Sequence, residues 1–547
     1  MNLKYEEAIE CYEKAVQLDP NNSAAFHGWG VALSKIADFK QDETLYKNAF
    51  DKYDKAVQLE SIDSINAYIY YNWGYGLYRL AKIKQDEDLF KKAFEKYSKV
   101  IEIDSDFVSA FFYWGLALLR LAEIKQDIDF QKNLEAFERA SSEINDSDTY
   151  LIKGEIYFLL NKTEKTMEYF KKSKKDVLEI LTFLDKKNEE KIINTNILHS
   201  LLNSDDNGGA FFKEAIKKLP PEQKDFLDTY KEVYIRSIFI ISLLHVKDDE
   251  EEFVAHYREK KVSQVLLFSD DNKLNKFRLN AIDFSNDLSE GKTLLDFIYG
   301  KEKRPSDNDL YIDEYEAFAS CFVFDYDSLN LFRLYGKEDS REGTGLSLVF
   351  RDTFFNKKPK MALESPKKES QNINNANSIR EEKSALFRCI YIDPNPITNH
   401  SVVFIGRKDK YLFYREDKKD DYEVYNQRMN GIIDRVNKEM DYLKDKAEKL
   451  NPAIVGQLLL NLRYLVKHVA FKDEQECRIV KILNLSKDKE SVKDDCRQMY
   501  LEYPPKVTDH IEKIYFGPKA EGFELFKSML KYKGLNIPCY KSENPLA

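Results

Sequence analysis

Residues 29–56 read WGVALSKIADFKQDETLYKNAFDKYDKA. Two markers in this stretch recur. Trp-Gly stands at Trp29–Gly30, Trp73–Gly74 and Trp114–Gly115, and Lys-Gln-Asp at Lys40–Asp42, Lys84–Asp86 and Lys125–Asp127. Both series step by 44 and then 41 (73 − 29 and 114 − 73 for Trp; 84 − 40 and 125 − 84 for Lys). Two independent markers with one shared period signal a repeat more strongly than any single motif. Within the units a second pattern follows: Ala49, Tyr53 and Ala56, then Ala93, Tyr97 and Val100. Spacings of four and three put these residues on one helical face. Small side chains there let two helices approach closely, and the aromatic ring fills the groove between them.

This pattern resembles the tetratricopeptide repeat. The family's order of an apolar residue before Gly, then Ala, an aromatic and Ala is met by Trp29, Gly30, Ala49, Tyr53 and Ala56. The family's closing Asp-Pro occurs only at Asp19–Pro20. Each unit exceeds the family's usual length of about 34 residues. The surplus is expected between the two helices, around the Lys-Gln-Asp triplets. The chain is read as starting within a second helix, because Ala8, Tyr12, Ala15 and Pro20 match the late half of a repeat. The first groove then lacks one wall, which another chain or an upstream segment would supply, so an oligomer through this half-repeat is an option. A degenerate fourth unit spans Gly154 to Phe170, with Tyr157 and Phe158 as its aromatics. The resemblance covers residues 1–175. It implies antiparallel helix pairs whose concave face binds a protein or peptide partner. Most of Tyr68, Tyr70, Tyr71, Phe111, Phe112 and Tyr113 are assigned to packing between helices.

The chain's 547 residues are too many for one core. Its net charge of −10 gives no global basic excess of the kind nucleic acid demands. The 6 cysteines contain no Cys-x-x-Cys, so neither a disulfide framework nor a metal site is expected. The polar start MNLKYEEAIE is no signal peptide, and the longest apolar run, Ile238 to Val246, is far short of a membrane span. These features lead to the expectation of a soluble, cytoplasmic protein without a membrane partner. Residues 176–250 keep a helical pattern and are expected to cap or link the array. Leu219–Pro221 starts a new element, and Phe226 to Val246 is apolar at helical spacing.

After residue 250 the pattern changes. Short apolar runs bounded by polar turns appear at Val262–Phe268, Phe277–Leu279, Ala317–Phe324, Gly345–Phe350 and Cys389–Ile392. They read as strands mixed with helices. Residues 356–383 include KKPK, SPKKES and NINNANS and read as a disordered insertion. Asp417 to Tyr425 reads as a charged loop, and residues 426–468 return to a helical pattern. The fold class expected is multidomain: an all-α tetratricopeptide-type solenoid, then an α+β domain over 251–547.

Within that domain Phe471 to Val480 reads FKDEQECRIV. Residues i and i+2 of a strand point to one side. Glu474 and Glu476 would then face one pocket, with Gln475 and Cys477 facing away. Two carboxylates forced together raise each other's pKa, and enzymes place such pairs where proton or cation chemistry happens. The plainer reading is a solvated acidic turn before an edge strand.

Several local sequences, in order, resemble a widespread bacterial domain family of undefined function. They are His256–Tyr257, Phe277–Asn280, Phe284–Glu290, Ser320-Cys-Phe, Asp327–Gly336, Gly343-Thr-Gly345, Phe471–Val480 and Ile514–Lys519. Leu288 stands where that family has proline. The layout also resembles, more distantly, the ADP-ribosyltransferase superfamily. That resemblance implies NAD as cofactor, with His256 as the ribose contact and Tyr257 stacked near nicotinamide. It implies Ser320 as the middle-strand serine, Glu476 as the catalytic carboxylate and Glu474 as the acceptor contact. A carboxylate at the ribose would stabilise an oxocarbenium ion, and a second could take a proton from the incoming nucleophile. Arg333 and Arg278 are candidate diphosphate partners, because a guanidinium bonds phosphate through two donors. Their other reading is surface ion pairing.

The leading expectation is a repeat-scaffolded effector enzyme, an NAD-consuming transferase or glycohydrolase in bacterial conflict or defence. One alternative is a non-catalytic adaptor in which both halves bind protein. The other is a metal-dependent nuclease built on Asp283, Asp287 and Glu290. Gly291-Lys292-Thr293 lacks the upstream glycine of a phosphate loop, since that position is Asn286. Cys321 is read as a buried strand cysteine, and His245 as a core histidine.

Overall fold

A computed structural model describes residues 2–124, 128–184, 192, 196–203, 209–217, 219–246, 253–269, 275–282, 289–304, 315–338, 340–359, 383–394, 403–408, 419–486, 488–495 and 498–544. The chain divides into two compact units. One is Met1–Lys175 with Leu184–Leu201, and the other is Asp176–Phe183 with Leu202–Ala547.

The first unit is built of paired helices. They are α1 (Asn2–Leu18), α2 (Ser23–Lys40), α3 (Glu43–Leu59), α4 (Asp63–Lys84), α5 (Glu87–Ile103), α6 (Val108–Ile124), α7 (Ile128–Ala140), α8 (Ser147–Leu159) and α9 (Thr163–Ser173). Each Trp-Gly pair lies on a first helix (α2, α4 or α6), and the Ala-x-x-x-Tyr faces lie on second helices (α3 and α5). Ala49, Tyr53, Ala56, Ala93, Tyr97 and Val100 are all buried.

The triplets turn one helix into the next. Gln41 and Gln85 hold left-handed backbones at φ 51° and 52° and close α2 and α4. Asp42 and Asp86 cap the following helices, accepting from the N–H groups of Thr44 and Leu45, and of Asp88 and Leu89. A cap of this kind stabilises a helix by about 1 kcal/mol. Lys84 reaches back to Glu43 at 2.8 Å. The turn is thus only two residues long, so the expected insertion between helices is absent. The surplus lengthens the helices, which run to 22 residues in α4. The third triplet, 125–127, lies outside the described residues. Of residues 176–250, Leu184–Leu201 falls in the first unit and the rest in the second.

The second unit contains a mixed sheet. Its strands are β1 (Phe253–Arg258), β2 (Phe277–Ala281), β3 (Tyr315–Val323), β4 (Leu346–Arg351), β5 (Phe387–Arg388), β9 (Glu476–Asn484), β10 (Lys493–Asp494), β11 (Met499–Tyr503), β12 (Ile511–Phe516) and β13 (Cys539–Lys541). A smaller sheet joins β6 (Ile390–Ile392) to β7 (Phe404–Ile405) and β8 (Val466–His468). The main sheet divides at β3. One edge of β3 pairs with β9 along its whole length. The other edge pairs with β2 at Ala319 and Phe318, then with β1 at Val323. Between those pairings β2 leaves toward β11 and β1 leaves toward β4.

Two local readings are corrected. Val262–Phe268 is not a strand but part of the helix Lys260–Phe268, with Ser263, Leu266 and Leu267 buried at helical spacing. A short apolar run cannot be assigned to helix or strand by periodicity alone. The charged segment read as a loop at Asp417–Tyr425 opens the long helix Lys419–Ala447. Most of the 356–383 insertion lies outside the described residues. Gly345 of the Gly-Thr-Gly motif stands where backbones crowd. A Cβ there would lie 2.5 Å from Gly336 Cα and 2.6 Å from the Arg258 carbonyl oxygen.

Candidate functional site

A buried charge cluster in the second unit gathers around Glu476. Glu474 ends a 3-10 turn, and Gln475 takes a left-handed backbone at φ 50° before β9 begins. That kink, rather than strand alternation, brings the two carboxylates together. Lys467 on β8 bridges them, 2.6 Å from Glu474 and 2.7 Å from Glu476. Arg478 donates to Glu476 at 2.5 Å through Nε, and its two Nη groups grip Glu290 at 2.5 and 3.1 Å. Tyr335 donates to Glu474. The Glu476 backbone N–H donates to the Tyr391 hydroxyl oxygen at 2.8 Å. Glu474, Glu476, Lys467 and Arg478 are all buried.

This ion network reverses one electrostatic expectation. Desolvation would raise a buried carboxylate, but Arg478 and Lys467 outweigh it and hold Glu476 below the usual carboxylate range. Lys467 is raised because Glu476 and Glu474 outweigh its own burial. Mutual raising therefore does not govern Glu476, because Lys467 stands between the two carboxylates.

Cys321 is also corrected. The residue is exposed on β3, not buried. Yet it lies deep among protein atoms, so desolvation and the Glu476 charge push its pKa well up. Cys321 thus stands on the sheet face beside Glu476. Arg478 is its neighbour too, because Cys321 pairs with Arg478, and Val323 with Glu476, across β3 and β9.

The remaining predicted residues do not join this group. Ala255, Val323 and Glu476 are register partners and share one face. His256 therefore projects to the other face, where its ring meets Phe277 at 5.1 Å and Phe322 at 5.5 Å. Its Nδ1 is 2.7 Å from the Cys321 carbonyl, which it satisfies where the sheet divides. Ser320 is buried on the His256 side. Tyr257 shares the Glu476 face, but its hydroxyl donates to the Asp325 carbonyl and accepts from the Ser328 N–H, while its ring abuts Phe332. Arg333 pairs with Glu342 at 2.9 Å, and Arg278 with Asp495 at 3.0 Å over the Tyr500 ring. Both arginines follow the surface-pair reading. For the nuclease reading, Asp283 and Asp287 lie outside the described residues, and Glu290 is held by Arg478. Among the described residues no group of His, Cys, Asp or Glu is arranged to hold a metal. Lys467 and Tyr335 are site members that sequence reasoning missed, and Glu290 was singled out only as a nuclease metal ligand, not as a partner of Arg478. Lys467 sits in an apolar run, and an unpaired lysine there was a signal of a buried ionic partner.

The first unit carries a second candidate surface on the side-by-side first helices. A pocket there is lined by Val31, Ser34, Lys35, Asp38, Tyr46, Tyr53, Asn72, Tyr75, Gly76 and Arg79. Asp38 accepts from Arg79 Nε at 2.6 Å and from the Tyr46 hydroxyl at 3.0 Å. Lys35 lies 5.3 Å over Tyr75, and Tyr75 meets Tyr113 at 4.9 Å. Tyr71 continues the row, 5.9 Å from Tyr113 and 5.1 Å from Phe107. Phe111 is buried as expected, but Tyr68 is 57% exposed and Tyr71, Tyr75 and Tyr113 are half-buried.

Among the described residues no helix is long and apolar enough to cross a membrane. A family model described as TPR repeat matches residues 4–36. Among solved structures, the crystal structure of MamA is similar at 23% identity, over 31% of this chain and 86% of that chain, with a TM-score of 0.24. No curated protein matches. The chain is multidomain, with a helical tetratricopeptide-type region followed by a sheet-containing α+β region.

Proposed function

We propose that the chain is a protein-binding scaffold whose repeat array takes an extended peptide segment on its first-helix face. The observation that carries this reading is the row from Lys35 and the Asp38–Arg79 pair through Tyr75 and Tyr113 to Tyr71. Half-buried aromatics beside fixed charges supply both contact area and hydrogen-bond selection. A face used only for packing would bury its rings and leave no lined pocket. Selection of displayed peptides on the whole chain, repeated with Tyr75→Ala and Tyr113→Ala, tests it. Selected peptides should lose at least about tenfold in affinity with either change, the scale of one good aromatic anchor. Peptides that bind both variants as well as the parent overturn it.

A second reading gives the other unit NAD-consuming chemistry through Glu476, in a conflict or defence setting. It is favoured by the placing of the Cys321 side chain beside Glu476 on one face of the sheet. Against it, a carboxylate already clamped by Lys467 and Arg478 has little charge left for an oxocarbenium ion, and His256 projects to the other face. Incubation of the whole chain with NAD decides between them: released nicotinamide, lost in Glu476→Gln, would support catalysis.

A further inference from the structure

The rings on the first-helix face of the array stand tilted to one another. Tyr75 meets Tyr113 at 76°, Tyr71 meets Tyr113 at 59°, and Tyr68 stands at 69° to Phe107. Tilted rings set side by side make ridges with grooves between them. Tyr71, Tyr75, Phe107 and Tyr113 are half-buried, so packing fixes each ring while part of its surface stays open. The hydroxyls of Tyr75 and Tyr113 have no hydrogen-bond partner among the described residues. Burial raises both above the ordinary phenol value, so at neutral pH both stay protonated and can donate. Of the two cations in the row, Arg79 is paired with Asp38, and Lys35 is exposed with no carboxylate partner among the described residues.

Peptides are recognised in a few recurring ways, and this face fits one of them. An added β-strand needs an open sheet edge, which a face of helices does not offer. A strongly acidic segment needs a cluster of unpaired cations, and Lys35 stands alone in the row. An amphipathic helix needs a continuous apolar groove, and here hydroxyls and the Asp38–Arg79 pair interrupt it. A polyproline II segment differs from all three. Its flat pyrrolidine rings fill grooves between aromatic rings, and its carbonyls have no internal partner and need donors. We propose that the first-helix face binds proline-rich segments in the polyproline II conformation, with proline rings seated among Tyr71, Tyr75 and Tyr113 and peptide carbonyls accepting from the Tyr75 and Tyr113 hydroxyls. This rests on the peptide-binding reading given above and names the ligand class for that face. Such a segment is largely ordered before it binds, so little conformational entropy opposes its docking on a rigid row of rings.

The test titrates the whole chain with a labelled synthetic oligoproline, read by fluorescence anisotropy. Length-matched glycine/serine, glutamate-rich and alanine-based helical peptides are the comparison arms. The parent should bind oligoproline saturably and more tightly than any of the other three. Tyr75→Phe and Tyr113→Phe keep the rings and remove the donors, so each should weaken oligoproline binding roughly three- to tenfold, the scale of one hydrogen bond. Tyr75→Ala and Tyr113→Ala also remove the groove walls and should weaken it at least about tenfold. Oligoproline that does not bind, or binds no better than a comparison peptide, overturns the ligand class. Oligoproline that binds the alanine variants as well as the parent sits elsewhere and overturns the site. Full affinity in both phenylalanine variants overturns the hydroxyl contacts. The displayed-peptide selection separates this inference from the reading beneath it. Selected peptides that depend on Tyr75 and Tyr113 but carry no excess of proline leave peptide binding standing and overturn the proline-rich class alone.

Discussion

Gly74 and Tyr97 meet face to face across one helix pair: a Cβ on Gly74 would lie 2.8 Å from Tyr97 Cε1. The same relationship joins Gly30 to Tyr53 at 2.7 Å one repeat earlier. Each glycine exists to admit the ring of the following helix. Above it, Trp73 lies under Lys96 at 3.4 Å, as Trp29 lies under Lys52 at 3.8 Å. Gly74→Ala should therefore overpack a fully buried ring and destabilise the array by about 1–3 kcal/mol. Chemical unfolding followed by a first-unit probe checks this; a change below a few tenths of a kcal/mol would contradict the packing.

These contacts also explain what the sequence made legible. Trp-Gly and Ala-x-x-x-Tyr are local patterns whose partners lie one helix away, so their period announces the contact. The convergence on Lys467 is different. Lys467 lies on a short strand of a separate small sheet, and Glu290 follows residues far earlier in the chain. Neither spacing nor composition relates them to Glu476. Even where the pairing of Glu474 with Glu476 was anticipated, its cause was not, because the left-handed backbone of Gln475 is invisible in a Gln codon's propensity. The register that separates His256 from Glu476 likewise depends on the single β1–β3 pairing of Ala255 with Val323.

The buried network makes a stability prediction. Lys467→Met leaves Glu290, Glu474 and Glu476 with Arg478 as their remaining cation. Breaking a buried pair by removing one partner costs about 3–5 kcal/mol. Glu476→Gln should be destabilising for the same reason, because it leaves Lys467 and Arg478 undercompensated. Urea unfolding of both variants reads the effect. Losses under about 0.5 kcal/mol, the scale of a surface change, would mean that the network is not formed.

The array's polar row predicts coupling between two helices. Arg79 on α4 holds Asp38 on α2, and the hydroxyl of Tyr46 on α3 donates to the same carboxylate. Asp38→Asn keeps the shape and removes the charge. It should weaken peptide binding through loss of a fixed anion while costing about 1 kcal/mol or less in stability, because the pair is partly solvated. A double cycle with Arg79→Gln, read on both peptide affinity and unfolding, separates the two effects. Additive losses in affinity would show that the pair does not act as a unit in recognition.

Acid should weaken the second unit in two stages, and the sign follows from the direction of each shift. Burial lowers His256 to about 3 from an ordinary value of 6.5. The unfolded chain therefore takes up its proton first, and stability falls as pH drops from about 6.5 toward 3, by at most about 1.4 kcal/mol per unit. Glu476 is also depressed, so its contribution is present above the ordinary carboxylate value of 4.5 and is lost as pH falls below it. The window from 6.5 to 5 thus belongs to His256 and not to Glu476. His256→Asn keeps a donor for the Cys321 carbonyl but cannot take up a proton. Its stability should stay nearly flat over that window while the parent declines, and both should decline together below 4.5. A parent curve that is flat from 6.5 to 5 would show that His256 gains its proton as easily in the folded chain as in the unfolded one.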